Sequence, residues 1–304
     1  MSTPGPCQDR VVIVTGAGRG LGRAHALAYA AAGAKVVVND AGVSLHGMGK
    51  TAAPALEVVE EIKARGGHAV ANTEDVADWQ GAARLVRAAV ESFGQLDVLV
   101  NNAGFLRDRM LVNMDEHEWD AVIRVHLKGH MAPLRHAAAY WRSEHKAGRP
   151  LAARVVNTSS GAGLLGSVGQ GNYAAAKAGI ATLTTVAAAE LARYGITVNA
   201  IAPAARTRMT ELTFADTMAT PDPEAFDTMD PANISPLVVW LGTEEAGAVT
   251  GRMFEVEGGK ISLADGWRHG PFVDRGSRWP VPEIGDAVHR LVAAAPTPER
   301  VYGA

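Results

Sequence analysis

The sequence has little that would build a disulfide-linked, metal-dependent or membrane-spanning protein. It has one cysteine, Cys7, among 304 residues, so it cannot assemble a disulfide framework or a cysteine-based zinc site. No histidine pairs with an acid at a recognised zinc spacing. No apolar run approaches the roughly 18 residues that cross a bilayer, and the first ten residues lack the features of a signal peptide. These absences predict a soluble, cytoplasmic protein without a metal.

Charge of one sign is also absent. Lys and Arg number 29 against 32 Asp and Glu, which gives a net charge of -3. The basic residues are scattered along the chain, and such a distribution offers no surface that could follow a phosphate backbone. We therefore expect no nucleic-acid partner.

Hydrophobic residues are plentiful, at 47% of the chain, and they are arranged in an alternating pattern. Short β-branched runs alternate with longer Ala- and Leu-rich stretches between residues 10 and 256, which is typical of a parallel sheet covered by helices. The pattern predicts an α/β fold with a doubly wound, seven-stranded parallel sheet. The expected strands are 10–14, 35–39, 68–72, 96–101, 154–158, 197–201 and 253–256, and the longest expected helix is 116–146.

Two segments fall outside this alternation. Residues 206–230 are rich in Thr, Met, Pro and acids and are expected to form a lid over a single domain of residues 1–263. Residues 264–304 contain Trp267, Trp279 and several prolines, too apolar for a free linker. We expect this C-terminal extension to pack along a substrate cleft or across a subunit boundary.

A glycine-rich turn, TGAGRGLG, follows the first strand at residues 15–22 and leads into a helix. Glycines let the backbone bend tightly so that its N–H groups approach a pyrophosphate, and the helix N-terminus adds a favourable dipole. The strand, turn and helix together predict a dinucleotide site. Its expected contacts are Gly16, Arg19, Gly20, Leu21 and Gly22.

Asp40 ends the second strand, at the position where an acid accepts hydrogen bonds from the adenosine ribose. Its carboxylate would repel a 2′-phosphate, so the sequence favours NAD over NADP. Two alternatives stay open. Arg19 could pair with a 2′-phosphate, and an Asp after a strand is often a helix cap.

A tyrosine and a lysine stand four residues apart, at Tyr173 and Lys177, thirteen residues beyond Ser160. On a helix, residues four apart share a face, so the Lys177 ammonium is expected close to the Tyr173 phenol. A neighbouring cation favours the phenolate, which would make Tyr173 a general acid or base near neutral pH.

These motifs together resemble the short-chain dehydrogenase/reductase family over roughly residues 9–260. The resemblance rests on the glycine turn, Asp75-Val76, NNAG at 101–104, the set Ser160, Tyr173 and Lys177, and MFEVEGG at 253–259. It implies a Rossmann-like fold and an NAD-dependent exchange between a secondary alcohol and a ketone. By that resemblance, Tyr173 exchanges the hydroxyl proton, Ser160 binds the substrate oxygen, and Lys177 holds the nicotinamide ribose.

The resemblance also implies further cofactor contacts. Asp75 and Val76 would flank the adenine, and Thr207 would meet the carboxamide. The residues expected to line the cofactor after the fourth strand are Asn101, Asn102, Ala103 and Gly104.

His126 departs from the family pattern, because many members have an Asn there that holds a water behind the catalytic lysine. We keep two interpretations, a proton relay through His126 and a hydrogen bond within a helix kink. The context of His126, LRDRM at 106–110 and PLVVWL at 236–241 resemble one branch, the (3R)-hydroxyacyl-CoA dehydrogenase unit of peroxisomal multifunctional enzyme type 2.

That branch implies a 3-hydroxyacyl-CoA substrate, with 17β-hydroxysteroids as a second class, and assembly as a homodimer or homotetramer. The arginines that could bind the CoA phosphates are Arg107, Arg109, Arg206 and Arg208. Two alternatives are an NADPH-dependent 3-oxoacyl carrier-protein reductase and a non-catalytic cofactor-sensing protein of the same fold.

Overall fold

Eight strands form one sheet in the part of the chain that the structure describes. This computed structural model describes residues 4–43, 51–207, 210, 218, 221–222, 225–264 and 266–303. The strands are β1 Val11–Thr15, β2 Lys35–Asn39, β3 His68–Asn72, β4 Val98–Asn101, β5 Arg154–Thr158, β6 Thr197–Ala204, β7 Met253–Glu257 and β8 Lys260–Ala264. Their order across the sheet is β3-β2-β1-β4-β5-β6-β7-β8. Strands β1 to β7 are parallel, which confirms the doubly wound α/β fold.

The prediction of seven strands is one short, because β8 adds an antiparallel edge next to β7. The two strands are joined by Gly258 and Gly259, and Gly258 has a φ of +52°. Two glycines between alternating segments are a hairpin signal. The apolar residues of β8, Ile261 and Leu263, are exposed. The strand therefore lacks the buried apolar face by which the other strands are recognised.

Helices cover both faces of the sheet. They are α1 Gly20–Ala31, α2 Ala53–Ala64, α3 Trp79–Phe93, α4 Glu116–Ile123, α5 Gly129–Lys146, α6 Gly161–Leu165, α7 Gly171–Leu191, α8 Ser235–Leu241 and α9 Val281–Ala294. Successive strand residues point to opposite faces. Val12 and Val14 therefore pack in the core under α1, α2 and α8, whereas Val11 and Ile13 pack under α3, α5 and α7. Burial on both faces explains the continuous apolar runs of these strands.

The predicted helix 116–146 is interrupted by a π turn at Arg124–Lys128. The Gly129 N–H donates to the Arg124 carbonyl, five residues back. A proline follows at position 133, where it lacks an N–H and its ring crowds the carbonyl four residues earlier. His126 lies within the π turn and is buried. Single π turns are frequent at functional sites.

Parts of the predicted lid and of the loop after Asp40 lie outside the described residues, namely 44–50, 208–209, 211–217, 219–220 and 223–224. Among the helices that are described, none combines the length and apolar character needed to cross a membrane. Likewise, the described residues contain no group of three or more His, Cys, Asp or Glu placed to hold a metal. The division into a domain and a C-terminal extension stays a prediction.

Candidate active site

A cavity of about 390 Å³ opens at the carboxyl ends of β4, β5 and β6. In a doubly wound sheet, ligands bind at this edge, where the strand order reverses between β1 and β4. Of the residues singled out in the sequence, the cavity is lined by Leu21, Asn102, Gly104, His126, Ser160, Tyr173, Lys177 and Thr207. The structure thus brings the predicted catalytic residues and part of the predicted cofactor set to one place.

Tyr173 and Lys177 lie on one face near the start of α7, as their spacing predicts. The Lys177 Nζ is 5.5 Å from the centre of the Tyr173 ring. The Lys177 side chain is 2% exposed and donates a hydrogen bond to the Thr158 carbonyl, 2.6 Å away, at the end of β5. This bond holds the ammonium between the helix and the sheet.

Burial governs the electrostatics of this pair. Desolvation lowers the pKa of Lys177 from 10.5 to about 7, because the charged ammonium is disfavoured away from water. Desolvation also raises the pKa of Tyr173, and its hydrogen bond with Ser160 acts in the opposite direction. The spacing predicts a lowered phenol pKa, so here the direction differs. In the protein alone, burial outweighs the hydrogen bond with Ser160, and the charge of Asp108 adds to the rise of the pKa.

Ser160 is placed by the N-terminus of α6, directly after β5. Its side-chain oxygen accepts a hydrogen bond from the Ala162 N–H, 3.2 Å away, which caps the helix. The same hydroxyl lies close enough to the Tyr173 phenol to lower its pKa. The cap therefore fixes a hydroxyl beside the phenol, where both could meet one substrate oxygen.

His126 stands against the other side of Tyr173, with the two ring centres 5.2 Å apart and nearly perpendicular. Its Nε2 lies 2.7 Å from the Phe105 carbonyl oxygen and 3.1 Å from the Phe105 nitrogen. It is thus bonded to the loop after β4 and not to its own helix. Its Nδ1 has no hydrogen-bond partner among the described residues. Burial, followed by the charge of Lys177, lowers the pKa of His126 to about 3, so the ring is neutral at neutral pH.

The glycine turn has the backbone shape that a dinucleotide requires. Gly16 and Gly20 have φ values of +63° and +52°, which L residues rarely adopt. A Cβ on Gly22 would lie 2.2 Å from the Gly16 carbonyl oxygen, so only glycine lets the helix approach the turn this closely. These residues fit a pyrophosphate held by backbone N–H groups at the start of α1.

Asp40 is tied to this turn. Its Oδ2 accepts a hydrogen bond from the Gly18 N–H at 2.8 Å, and its Oδ1 accepts one from the Gly42 N–H at 2.8 Å. The carboxylate is thus beside the turn, and its contact with an adenosine ribose stays a prediction. Arg19, directly before α1, is exposed.

The loop after β4 is fixed to the end of β1. Thr15 Oγ1 accepts hydrogen bonds from the N–H groups of Asn102, at 2.9 Å, and Ala103, at 3.1 Å. A Cβ on Gly104 would lie 2.2 Å from the His126 Cε1, so glycine is required there. Asn101 is fully buried, and its amide donates to the Asn157 side chain. Its direct contact with the cofactor stays a prediction.

The other predicted cofactor contacts flank the turn. Asp75 forms an ion pair with Arg124, 2.6 Å away, and Val76 is buried against Gly129. Thr207 lies over the turn, with its methyl group 3.6 Å from a Cβ built on Gly20. Their roles at the adenine and the carboxamide stay predictions.

The candidate CoA-binding arginines are mostly engaged. Arg109 binds Glu118, and Arg206 forms two hydrogen bonds with Asp227. The Arg107 guanidinium lies 5.2 Å from the centre of the Phe105 ring. Arg208 lies outside the described residues.

Several lining residues are missed by the sequence reasoning, among them Gln170, Glu255, Glu257, Lys260 and Tyr302. Glu255 and Glu257 lie in the MFEVEGG stretch at 253–259, to which the resemblance assigns no role, and the others belong to no recognised motif. The Gly-Gly turn before β8 could have placed Lys260. Nothing in the sequence marks Tyr302 beyond its being an aromatic residue in the extension.

The profile of the short chain dehydrogenase family matches residues 10–217. With the geometry above, this shows that the chain belongs to the short-chain dehydrogenase family. It is an oxidoreductase that acts on CH–OH groups with a nicotinamide cofactor.

The chain is also similar to individual members of the family. The chain is 45% identical to the hydroxyacyl-CoA dehydrogenase ChsB1 of Mycobacterium tuberculosis, covering 97% of this chain and 92% of that protein. It is 41% identical to the peroxisomal multifunctional enzyme type 2 of Mus musculus over 86% of this chain, but it spans only 33% of that longer protein. A crystal structure of a short chain dehydrogenase from Mycobacterium avium superimposes with a TM-score of 0.89 at 60% identity, covering 99% of this chain and all of that one.

Proposed function

We propose that this protein oxidises (3R)-3-hydroxyacyl-CoA to 3-oxoacyl-CoA with NAD, and that 17β-hydroxysteroids are a second substrate class. The observation that carries the proposal is the cavity that joins Ser160, Tyr173 and Lys177 to the glycine turn. The similarity to ChsB1 along nearly the whole chain supports the acyl-CoA substrate. We also propose a homodimer or homotetramer in the cytoplasm.

In the proposed reaction, Tyr173 removes the proton from the substrate hydroxyl, and the hydroxyl of Ser160 donates to the substrate oxygen. A nicotinamide bound beside Lys177 would supply the acceptor for the hydride of the carbinol carbon. Lys177, held by the Thr158 carbonyl, would bind the nicotinamide ribose and stabilise the phenolate of Tyr173. Holding the reactants in this arrangement supplies a large part of the rate enhancement.

The choice of NAD rests on Asp40. Its carboxylate lies beside Gly18, where it can accept from the ribose hydroxyls. A 2′-phosphate there would meet a negative charge, and Arg19 is the residue that could offset it. We place Gly16, Gly20, Leu21 and Gly22 at the pyrophosphate and nicotinamide side of the same site.

His126 completes the proposal as a positioning residue behind Tyr173 and Lys177. Its Nδ1 faces the interior without a partner among the described residues, which suits a bound water in a proton path. Activity against pH for His126→Asn and His126→Ala tests this role: the Asn variant should keep the wild-type profile and the Ala variant should not. Wild-type profiles in both would remove His126 from the path.

The test of the function is NAD and NADP reduction by purified protein, with (3R)- and (3S)-hydroxyacyl-CoAs of several lengths and a 17β-hydroxysteroid. We expect NAD and the (3R) thioester to give the highest kcat/KM. Faster NADPH-dependent reduction of a 3-oxoacyl carrier protein would favour the reductase alternative. A relative with that name, from Synechocystis, is 41% identical over 254 residues.

A further inference from the structure

Tyr302 is held beside the predicted catalytic serine by backbone hydrogen bonds. The Val168 N–H donates to the Tyr302 carbonyl at 2.9 Å, and the Tyr302 N–H donates to the Gly166 carbonyl at 3.3 Å. These bonds pair Tyr302 with Ser167 as a short parallel bridge. The position of Tyr302 is therefore set by its backbone and not by its side chain alone.

The Tyr302 ring fills the space next to Gly161, the residue that follows Ser160. A Cβ on Gly161 would lie 2.7 Å from the Tyr302 hydroxyl oxygen and 3.0 Å from its Cε2. Val301 packs in the same way against Gly166. The loop after β5 and the segment 301–302 are thus fitted to each other by two glycines.

Two carboxylates of β7, those of Glu255 and Glu257, act on the Tyr302 phenol. Burial, followed by the carboxylates of Glu255, Glu299 and Glu257, raises the pKa of the Tyr302 phenol, so this hydroxyl stays neutral. Glu255 and Glu257 line the same cavity as Ser160 and Tyr173. Tyr302, which contacts the loop after β5, therefore lines one cavity together with residues of the last parallel strand.

The rest of the extension differs from this contact. Trp267, Phe272 and Val281 are 103%, 87% and 85% exposed. By contrast, Tyr302 is 43% exposed and lines the cavity. Of the aromatic residues Trp267, Phe272 and Tyr302, it is Tyr302 whose removal would change the shape of the cavity.

We propose that Tyr302 is a specificity-determining residue, whose ring forms a wall of the substrate cavity and favours a straight acyl chain over a fused-ring substrate. The identity of these two substrates rests on the proposed function. Because the backbone of Tyr302 is held by hydrogen bonds and its ring fills the space beside Gly161, the wall leaves less room for wide groups than for narrow ones. One mismatched group in a pocket typically changes discrimination by about tenfold or more.

The experiment compares Tyr302→Ala and Tyr302→Phe with Phe272→Ala, which removes an exposed aromatic ring of the same extension. The measured quantity is the ratio of kcat/KM for a 17β-hydroxysteroid to that for (3R)-hydroxybutyryl-CoA. We expect Tyr302→Ala to raise this ratio about tenfold. Tyr302→Phe keeps the ring and should keep the ratio within about twofold, as should Phe272→Ala.

An unchanged ratio in Tyr302→Ala, with both substrates still oxidised, would overturn the inference and leave the proposed function intact. If the wild-type protein oxidises neither substrate, the proposed function fails, and calorimetric dissociation constants of the two ketone products then test Tyr302. A shift of their ratio in Tyr302→Ala alone would support the wall. Equal ratios in wild type and variant would reject it.

Discussion

The two sides of the active-site region are built in different ways. The cofactor side consists of the glycine turn and Asp40, which lie close together in the chain and are joined by backbone N–H groups. The far wall of the substrate cavity joins Gly161 to Tyr302, which are 141 positions apart, and adds residues of β7 and β8. The first side is encoded by local backbone conformation, and the second by contacts between distant segments.

The glycine turn is a feature that any dinucleotide-binding protein of this fold needs, whereas the wall of the substrate cavity is particular to this protein. A turn that binds a pyrophosphate through its backbone needs glycines at fixed positions, whatever the substrate. A wall made from distant side chains has no such constraint and is free to vary with the substrate. Variants on the two sides should therefore affect different measurements.

The largest expected effect is on the chemical step. Replacing Tyr173 by Phe removes the proposed acid and base while keeping the ring against His126. We expect kcat to fall by about a hundredfold to ten-thousandfold, with cofactor affinity unchanged. Steady-state kinetics measure kcat, and titration with the cofactor measures its affinity. Tyr194→Phe, at a tyrosine far from the cavity, is the control, and full turnover in Tyr173→Phe would revive the non-catalytic interpretation.

The next effect belongs to the cofactor side. A Cβ on Gly18 would lie 2.6 Å from the Pro54 Cβ of α2 and 2.7 Å from the Asp40 Oδ2, so it would push this carboxylate away from the turn. Hydrogen bonds to charged groups contribute about 1.5–3 kcal/mol, so the dissociation constant for NAD should rise at least about tenfold. Discrimination between substrates should not change. Gly285→Ala, where nothing lies within 4 Å of the added carbon, is the matched control.

An unchanged NAD affinity in Gly18→Ala would separate Asp40 from cofactor binding. A changed substrate preference would contradict the independence of the two sides. Fluorescence titration of the reduced cofactor gives the first result, and the kcat/KM ratio used for Tyr302 gives the second.

A separate effect, on stability and not on catalysis, concerns the pH dependence at Lys177. In the folded protein its pKa is about 7 instead of 10.5, so between these values the unfolded chain binds more protons. Stability from this group is therefore lowest below pH 7 and increases as the pH rises toward 10.5. One pKa unit corresponds to about 1.4 kcal/mol. Lys177→Met should therefore exceed the wild type most in free energy of unfolding at pH 6, and this difference should shrink toward pH 10.

Urea unfolding at pH 6, 8 and 10 without cofactor measures this difference. Lys146→Met, at an exposed lysine of α5, is the control for the loss of a charge. A stability difference between Lys177→Met and wild type that is constant with pH would show that the Lys177 ammonium is not desolvated in the folded protein.

The smallest effect is expected at Arg109. Its guanidinium is held by the Glu118 carboxylate, with Nη2 2.6 Å from Oε1, and exposed ion pairs of this kind contribute little. We expect Arg109→Ala to change KM for CoA and pantetheine thioesters alike, by less than about twofold. A large increase for the CoA thioester alone would show that Arg109 leaves Glu118 to bind the nucleotide end.

Much of the fold was predictable because parallel strands buried on both faces give unambiguous apolar runs. Strand β2, at Lys35–Asn39, matches its prediction residue for residue. Strand β8 was missed because its apolar residues face solvent. The π turn at Arg124–Lys128 was missed because hydrophobic periodicity does not distinguish a wide helical turn from an ordinary one.

The same physical distinction holds for the site. Tyr173 and Lys177 could be paired from a spacing of four, since a helix fixes which residues share a face. The hydrogen bond between His126 and the Phe105 backbone could not be predicted from spacing, because it depends on how a π turn packs against the loop after β4. Tyr302 requires the full path of the chain to be known.

The attachment of Tyr302 to the loop after β5 has a practical consequence for handling the protein. Only two residues would separate Tyr302 from a fusion joined after residue 304, so the fusion would begin close to the wall of the cavity. Residues 5–9 contact Ala32 and Gly33 at the amino end of β2, on the opposite edge of the sheet. An affinity tag or fluorescent label placed before residue 5 therefore leaves the substrate path clear, whereas the same label after residue 304 would report on, and disturb, substrate binding.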